Sequence, residues 1–492
     1  MIASPAIQWG TARARWVLAA TVGGSGVAML DATTVNVALP ALGKELNASV
    51  ADLQWTINAY TLAVASLVLL AGSLADRFGR RRVFMIGVGW FAAASLLCAV
   101  ASNVQFLILA RALQGVGGAL LTPGSLAILQ TSFRPEDRAR AVGAWSGLGG
   151  VAAALGPVLG GYLVSQASWR WIFLINLPVA ASVLAVTARH APETSAPDRV
   201  AGFDLAGSLL AVTGLGASTW ALISLGDRGL SPVVVTTAVA GVAALAGFVL
   251  VERRGPHPLI PPRIFRSRQF TAANVVTFLM YGGMSAVFFL LVVHLQQVAG
   301  FSPTASGTAL IPITAIMLLL SARAGALAQR IGPRLPMSLG PLIIASGMML
   351  MTRIGAGASY FGDVLPAAVV FGLGLALTVA PLTATVLAAA EDSLTGVASG
   401  VNNAVSRAAG LLAVAVLPVV AGLTGDAYLD PVAFAAGFRV AITLSASSVA
   451  VGGIIALLTI RNDVLGPART PEKMYCPVCG APLEPAHEPA DH

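Results

Sequence analysis

The chain has 492 residues, 57% of them hydrophobic and only 10% charged, with a mean hydropathy of +0.82. A water-soluble chain carries about 25% charged residues, so soluble, collagen-like and disordered classes are excluded and a polytopic helical membrane protein remains. The net charge of +8 then speaks to which side of a bilayer each loop occupies rather than to a nucleic-acid partner.

About 20 apolar residues cross a bilayer as a helix. On that length the sequence predicts fourteen spans, at 16–38, 53–75, 83–101, 104–130, 140–163, 171–188, 205–225, 231–251, 270–293, 304–328, 336–355, 361–389, 396–422 and 438–460. Arg13 and Arg15 precede an apolar run that is too long for a cleavable signal and contains Asp31, so it reads as a retained first helix. An even number of spans puts both termini on one side. With them fall Arg13, Arg15, Arg77, Arg80, Arg81, Arg82, Arg134, Arg138, Arg140, the arginines of the linkers around the seventh and eighth spans, Arg330, Arg334 and Arg461. Only Lys44, Arg170, Arg228, Arg353 and Arg439 fall opposite. The positive-inside rule makes both termini cytoplasmic, in the inner or plasma membrane of the cell.

The sequence also repeats. GSLADRFGRR, from Gly72 to Arg81, has a worn copy GALAQRIGPR, from Gly325 to Arg334, at an offset of 253 residues. QGVGGALLTP, from Gln114 to Pro123, is similar to FGLGLALTVAP, from Phe371 to Pro381, at nearly the same offset. Two halves in parallel register follow, and the offset exceeds six spans by about one helical hairpin. The predicted organisation is a cytoplasmic tail 1–15, a six-helix bundle 16–188, an inserted two-helix hairpin with its linkers 189–269, a second six-helix bundle 270–460 and a cytoplasmic tail 461–492.

These motifs resemble the major facilitator superfamily, in its fourteen-span drug:proton antiporter branch, over nearly the whole chain from Leu30 to about Arg461. Gly72 to Arg82 resembles the superfamily's cytoplasmic loop signature, and LDATTVNVALP, from Leu30 to Pro40, the first-helix signature of its drug-exporting branch. GAWSGLGGVAAALGPVLGG, from Gly143 to Gly161, resembles the fifth-helix motif of antiporters; WRWIFLINLP from Trp169 and LQQVAG from Leu295 also fit the branch. The resemblance implies an all-α major facilitator fold, two six-helix bundles with a two-helix insertion and 14 transmembrane helices. Two such halves are related by an axis along the membrane normal, with the substrate site between them near mid-membrane.

Asp31 lies well inside the first span, and no other carboxylate lies as deep in a predicted helix. A charge at that depth costs several kcal/mol, so it faces a cavity, pairs with a cation or holds a proton. A proton-coupling role and a permanently paired structural role both satisfy that cost. Arg111, three residues before Gln114 on one helix face, keeps its proton and must be hydrated or paired. The resemblance links this arginine to proton translocation. His294 reads as an interfacial side chain at the end of the ninth span, and Arg323 as a cation that reaches out of its span to the interface.

Gly72, Asp76, Arg77, Gly79 and Arg80 form a candidate gate: glycine lets backbones approach, and Asp76 is placed to meet an arginine or a helix N-terminus. Gln329 replaces that acid in the second half. Gly147, Gly156, Gly160 and Gly161, with Pro157, make the fifth span a tight, bent interface. Gln114, Asn58, Tyr281, Asn402 and Arg407 are candidate substrate contacts, among Met29, Trp55, Tyr60, Phe278, Phe288 and Phe289 as apolar or polarizable walls. In the tail, Cys476 and Cys479 have the spacing of half a zinc ribbon, which His487 and His492 would complete. Cys98 is the remaining cysteine, and three cysteines make no disulfide framework.

No phosphate-binding G-x-x-x-x-G-K-[ST] run accompanies the helices, so the energy source is an ion gradient. The expectation is a non-enzymatic, proton-coupled exporter of hydrophobic cationic or neutral small molecules, without organic cofactor, working as a monomer. A dedicated exporter of one metabolite or lipid, and a non-transporting scaffold or sensor, are the alternatives.

Overall fold

The computed structural model describes residues 7–194, 204–255, 258, 260–391, 394–425 and 430–465. Among these residues sixteen α-helices run in chain order: α1 Ala12–Leu46, α2 Val50–Phe78, α3 Arg80–Ala99, α4 Val104–Ser132, α5 Pro135–Gln166, α6 Trp171–Leu174, α7 Asn176–His190, α8 Leu205–Arg228 and α9 Pro232–Arg254, then α10 Arg268–Gln297, α11 Pro303–Thr308, α12 Ile311–Ile331, α13 Arg334–Met351, α14 Leu365–Ala388, α15 Thr395–Val420 and α16 Pro431–Thr459. Among the described residues, thirteen stretches are long and apolar enough to cross a membrane, and α2, bent by 53° between Val50–Val68 and Leu70–Phe78, makes a fourteenth when taken as one span. Among the described residues one isolated bridge, Ile7 to Phe133, is the only β pairing.

Helix ends follow capping chemistry more than hydropathy. The first helix extends beyond the apolar window at both ends: Thr11 accepts from the Ala14 N–H, and the helix continues through Pro40 to Leu46, where Asn47 turns left-handed at φ 49°. Ser49 and Asp52 then form a reciprocal capping box that starts α2. Two predicted spans are interrupted. Pro178 has no N–H for the Leu174 carbonyl, where α6 ends, and Pro312 has none for Thr308, where α11 ends.

The packing reproduces the internal repeat pair by pair. In the first half α2 and α3 both pack on α4, and α1 packs on α5 and α7. In the second, α12 and α13 both pack on α14, and α10 packs on α15 and α16. The α8–α9 hairpin stands between these sets, with α8 against both α2 and α15.

The halves meet at one end. We call the end where α1 starts proximal and the end where it finishes distal. Among the described residues, the hydrogen bonds joining the halves are distal: Gln54 Nε2 to the Val414 carbonyl at 2.7 Å, Gln296 Nε2 to the Val37 carbonyl at 3.1 Å, and Thr304 Oγ1 to the Gly161 carbonyl at 3.1 Å and Ser165 Oγ at 2.9 Å. Here α5 and α11 cross so closely that a Cβ on Gly161 would fall on the Pro303 backbone, and one on Gly307 on the Pro157 backbone. Gly156 and Gly160 press in the same way on Thr33 and Thr34 of α1. Towards the proximal end, Gly72, Gly143, Gly147 and Gly150 face open space. The close-packing expectation therefore fails for Gly72 and Gly147: the helices approach at the distal end and part toward the other.

Candidate functional site

Four helices and a helix break converge on one carboxylate. Asp31, on the middle turns of α1, is 1% exposed, and Arg111, on the second turn of α4, is 1% exposed. Arg111 Nη1 donates to Asp31 Oδ2 at 2.5 Å and to Gln114 Oε1 at 2.6 Å, while its Nε donates to the Thr56 carbonyl of α2 at 3.1 Å. The i, i+3 spacing of Arg111 and Gln114 brings both to the same carboxylate, and Gln114 Nε2 donates to Asp31 Oδ1 at 2.9 Å. The other Oδ1 partner is Asn176 Nδ2 at 3.0 Å, from the first residue of α7. Ser95 Oγ on α3 accepts from both amides, at 2.8 Å from Gln114 and 3.2 Å from Asn176, and Cys98 Sγ lies 3.6 Å from Gln114 Oε1.

The arginine's flat faces are covered too. Its guanidinium carbon lies 4.5 Å from the Tyr60 ring centre and 5.8 Å from that of Phe173, positions that favour a cation over an aromatic face. Breaking such a buried pair by removing one partner costs about 3–5 kcal/mol. The site is thus a closed, buried ion pair that ties α1 to α4 inside the first bundle.

Several expected positions behave differently. Gln114, expected in a substrate cavity, is buried inside this network. Asn402 Nδ2 bonds Thr277 Oγ1 at 2.8 Å and Asn274 Oδ1 at 3.2 Å on neighbouring α10. Tyr281 is half-buried on α10. Asn58 on α2 is 1% exposed, and neither amide atom has a hydrogen-bond partner. Arg407, mid-way along α15, has a buried Nε without one. His294, in the last turn of α10, is 1% exposed, its Nε2 lies 2.8 Å from the Ile354 carbonyl and its ring stacks on Phe438 at 3.9 Å. Arg323 is exposed.

At the proximal end Asp76 is bonded to Arg80, one turn ahead, at 2.7 Å, and the Arg77 guanidinium lies over the Phe78 ring. Gly79, at φ +105°, joins α2 directly to α3 and leaves the start of α3 without a side-chain cap of its own. Glu193, beyond α7, supplies it by accepting from the backbone N–H of Arg81 at 3.1 Å and Arg82 at 3.2 Å.

Sequence reading missed Asn176, Ser95 and Glu193. A polar amide within the apolar run WIFLINLP was the available signal for Asn176; Ser95 and Glu193 carried none. Cys476, Cys479, His487 and His492 lie outside the described residues. Among those described, no group of three or more His, Cys, Asp or Glu side chains is placed to hold a metal.

Two repeated six-span bundles that meet at one end, with an interposed hairpin and a sealed ion pair inside the first bundle, define a membrane transporter. The chain belongs to the Major Facilitator Superfamily, whose profile matches residues 21–414. It is 35% identical over 416 residues to the tetracenomycin C resistance and export protein of Streptomyces glaucescens, covering 84% of this chain and 77% of that one. It is 35% identical over 476 residues to the puromycin resistance protein pur8 of Streptomyces alboniger, covering 95% and 94%. Among solved structures, the POT family transporter PepTSo superposes with a TM-score of 0.67 over 91% of this chain and 97% of that one; at 16% identity this likeness concerns the fold.

Proposed function

We propose that the chain exports hydrophobic small molecules across the cytoplasmic membrane in exchange for protons, by alternating access, with both termini in the cytoplasm. The observation that carries this reading is the sealed pair of Asp31 and Arg111. Arginine keeps its proton, so an exchanged proton at this site rides on Asp31. Protonation turns an acceptor-only carboxylate into a neutral acid and weakens its hold on Arg111. Arg111 also holds the Thr56 carbonyl of α2, the helix whose Gln54 joins α15 of the other half. A change of charge on Asp31 is therefore felt by a helix that bridges the halves.

In this reading the distally sealed state faces the cytoplasm, with Asp31 ionised and paired. Opening the distal end admits water and a proton to Asp31, and Asp76 then exchanges Arg80 for a partner on the second bundle. Transport breaks no covalent bond of the cargo and uses no organic cofactor, and one chain contains both halves of the cleft, as a monomer requires. The relatives' names support the cargo class, since they include resistance to single antibiotics and to several drugs. Both a broad exporter and one dedicated to a single metabolite fit those names, and efflux of a compound panel from vesicles, with and without a protonophore, separates them. We propose zinc binding only for the tail, through Cys476, Cys479, His487 and His492; zinc uptake at micromolar concentration by the full chain, lost on replacing both cysteines, tests it.

The deciding experiment is Asp31→Asn in proteoliposomes. Efflux driven by an imposed pH gradient should be abolished while the protein stays folded and inserted. Full coupling in that variant would falsify the proton assignment.

A further inference from the structure

Arg407 sits at the middle of α15, and the contact between Gln54 and Val414 sets the register of that helix against α2. The two helices run in opposite directions. Seven residues are close to two turns and about 10.5 Å of rise. Arg407 therefore lies on the same face of α15 as Val414, toward α2, level with Thr61 and one turn beyond Asn58. A different face of α15 is occupied by α10, through Asn402 against Thr277 and Ala409 and Ala413 against Gly282.

Two independent features at this level are unsatisfied. Arg407 Nε is buried without an acceptor, and both amide atoms of Asn58 are buried without partners. The large majority of buried polar side-chain atoms find a partner, and each one left alone costs about 1–3 kcal/mol. Charge is out of balance as well. Among the described residues, Asp31 is the one carboxylate set deep in a helix away from its ends, and it is consumed by Arg111. Arg407 cannot shed its proton, so the interface between α2 and α15 keeps one uncompensated positive charge.

We propose that Arg407 and Asn58 form an anion subsite, which takes the carboxylate, sulfonate or phenolate of an amphiphilic aromatic cargo. The guanidinium supplies charge-assisted donors, and the Asn58 amide adds a donor from the opposite bundle. The cargo class is thereby an organic anion, in place of the cationic or neutral compounds expected from sequence. An anion held by both α2 and α15 also ties its occupancy to the contact between the halves. The transport role of this subsite rests on the export reading above; its charge preference does not.

The test separates the two. Binding of 1-anilinonaphthalene-8-sulfonate and of its uncharged parent N-phenyl-1-naphthylamine is measured by equilibrium dialysis against the full chain in phosphatidylcholine nanodiscs, corrected with empty discs. The expected result is tighter binding of the sulfonate than of the parent to the wild type. Arg407→Gln lowers that ratio about tenfold or more, the loss of a charge-assisted hydrogen bond, and Arg407→Lys restores most of it. Asn58→Ala, which removes no charge, weakens the sulfonate severalfold and keeps the question decidable if Arg407→Gln does not fold. No preference in the wild type, or a ratio unmoved by the Asn58 and Arg407 variants, overturns the anion subsite. A preserved ratio in binding, with neither dye moved by a pH gradient in proteoliposomes, leaves the subsite standing and removes the export reading instead.

Discussion

Arg111 and Asp31 lie 80 residues apart in the chain, yet their side chains meet at 2.5 Å with almost no exposure to solvent. The pair is not isolated. Gln114 and Asn176 hold the free oxygen of the carboxylate, and Ser95 holds both amides. Removing one charge therefore leaves the other buried amid groups arranged to receive its partner.

The first prediction concerns stability. Arg111→Gln should lower unfolding free energy by about 3–5 kcal/mol, because a carboxylate is left uncompensated. The double variant Asp31→Asn, Arg111→Gln should recover most of that loss. Thermal unfolding of the two single variants and the double variant in detergent measures the coupling; additive losses would remove the ion pair from the account.

A second prediction addresses the distal seal. Gly307→Ala places a methyl group on the Pro157 backbone, and overpacking of this kind costs about 1–3 kcal/mol. That cost falls only on the state in which α5 and α11 touch. Spin-label distances between Ser165 and the start of α11 should lengthen and distal cysteine accessibility should rise; an unchanged distance distribution would count against the crossing as the seal.

Gln54→Leu tests the same seal through a hydrogen bond. It loses the bond to the Val414 carbonyl, a net of about 1 kcal/mol, or roughly a fivefold shift in the ratio of sealed to open molecules. Distance measurements across α2 and α15 read that shift directly.

The Glu193 cap gives a proximal prediction. Glu193→Ala removes the acceptor at the start of α3 and should cost about 1 kcal/mol of stability, with Glu193→Gln losing less. Hydrogen exchange at Arg81 and Arg82 should rise in the alanine variant. Equal protection in all three proteins would show that the amides find water equally well.

Asp76→Asn should slow turnover without uncoupling efflux from the pH gradient, since Asp76 bonds Arg80 at the proximal end and takes no part in the Asp31 network. Loss of coupling in this variant, measured in proteoliposomes, would move the proton site away from Asp31.

Much of this molecule was readable from residue order. Crossing number, the repeated halves and the inserted hairpin follow from hydropathy, which each helix satisfies against lipid on its own, and from motifs copied at one offset. Asp31 and Arg111 stood out because a charge in an apolar run demands a partner. The breaks at Leu174 and Thr308 were not anticipated within the continuous spans 171–188 and 304–328, although Pro178 and Pro312 each withhold a backbone donor there. The partners themselves were not legible. Asn176, Ser95 and the Thr56 carbonyl come to Asp31 and Arg111 from three other helices, and nothing in their local sequence states that meeting. Glycine density likewise suggested close contact along the whole fifth span, whereas Gly156, Gly160 and Gly161 make it and Gly147 does not. Sequence alone determined which segments cross the membrane and which charges are too costly to leave alone, because those costs are paid within each helix. Only the tertiary structure decided which end of the bundle is sealed, that Gln114 serves the ion pair and that Arg407 and Asn58 are left wanting partners, because those outcomes depend on how helices distant in sequence face one another.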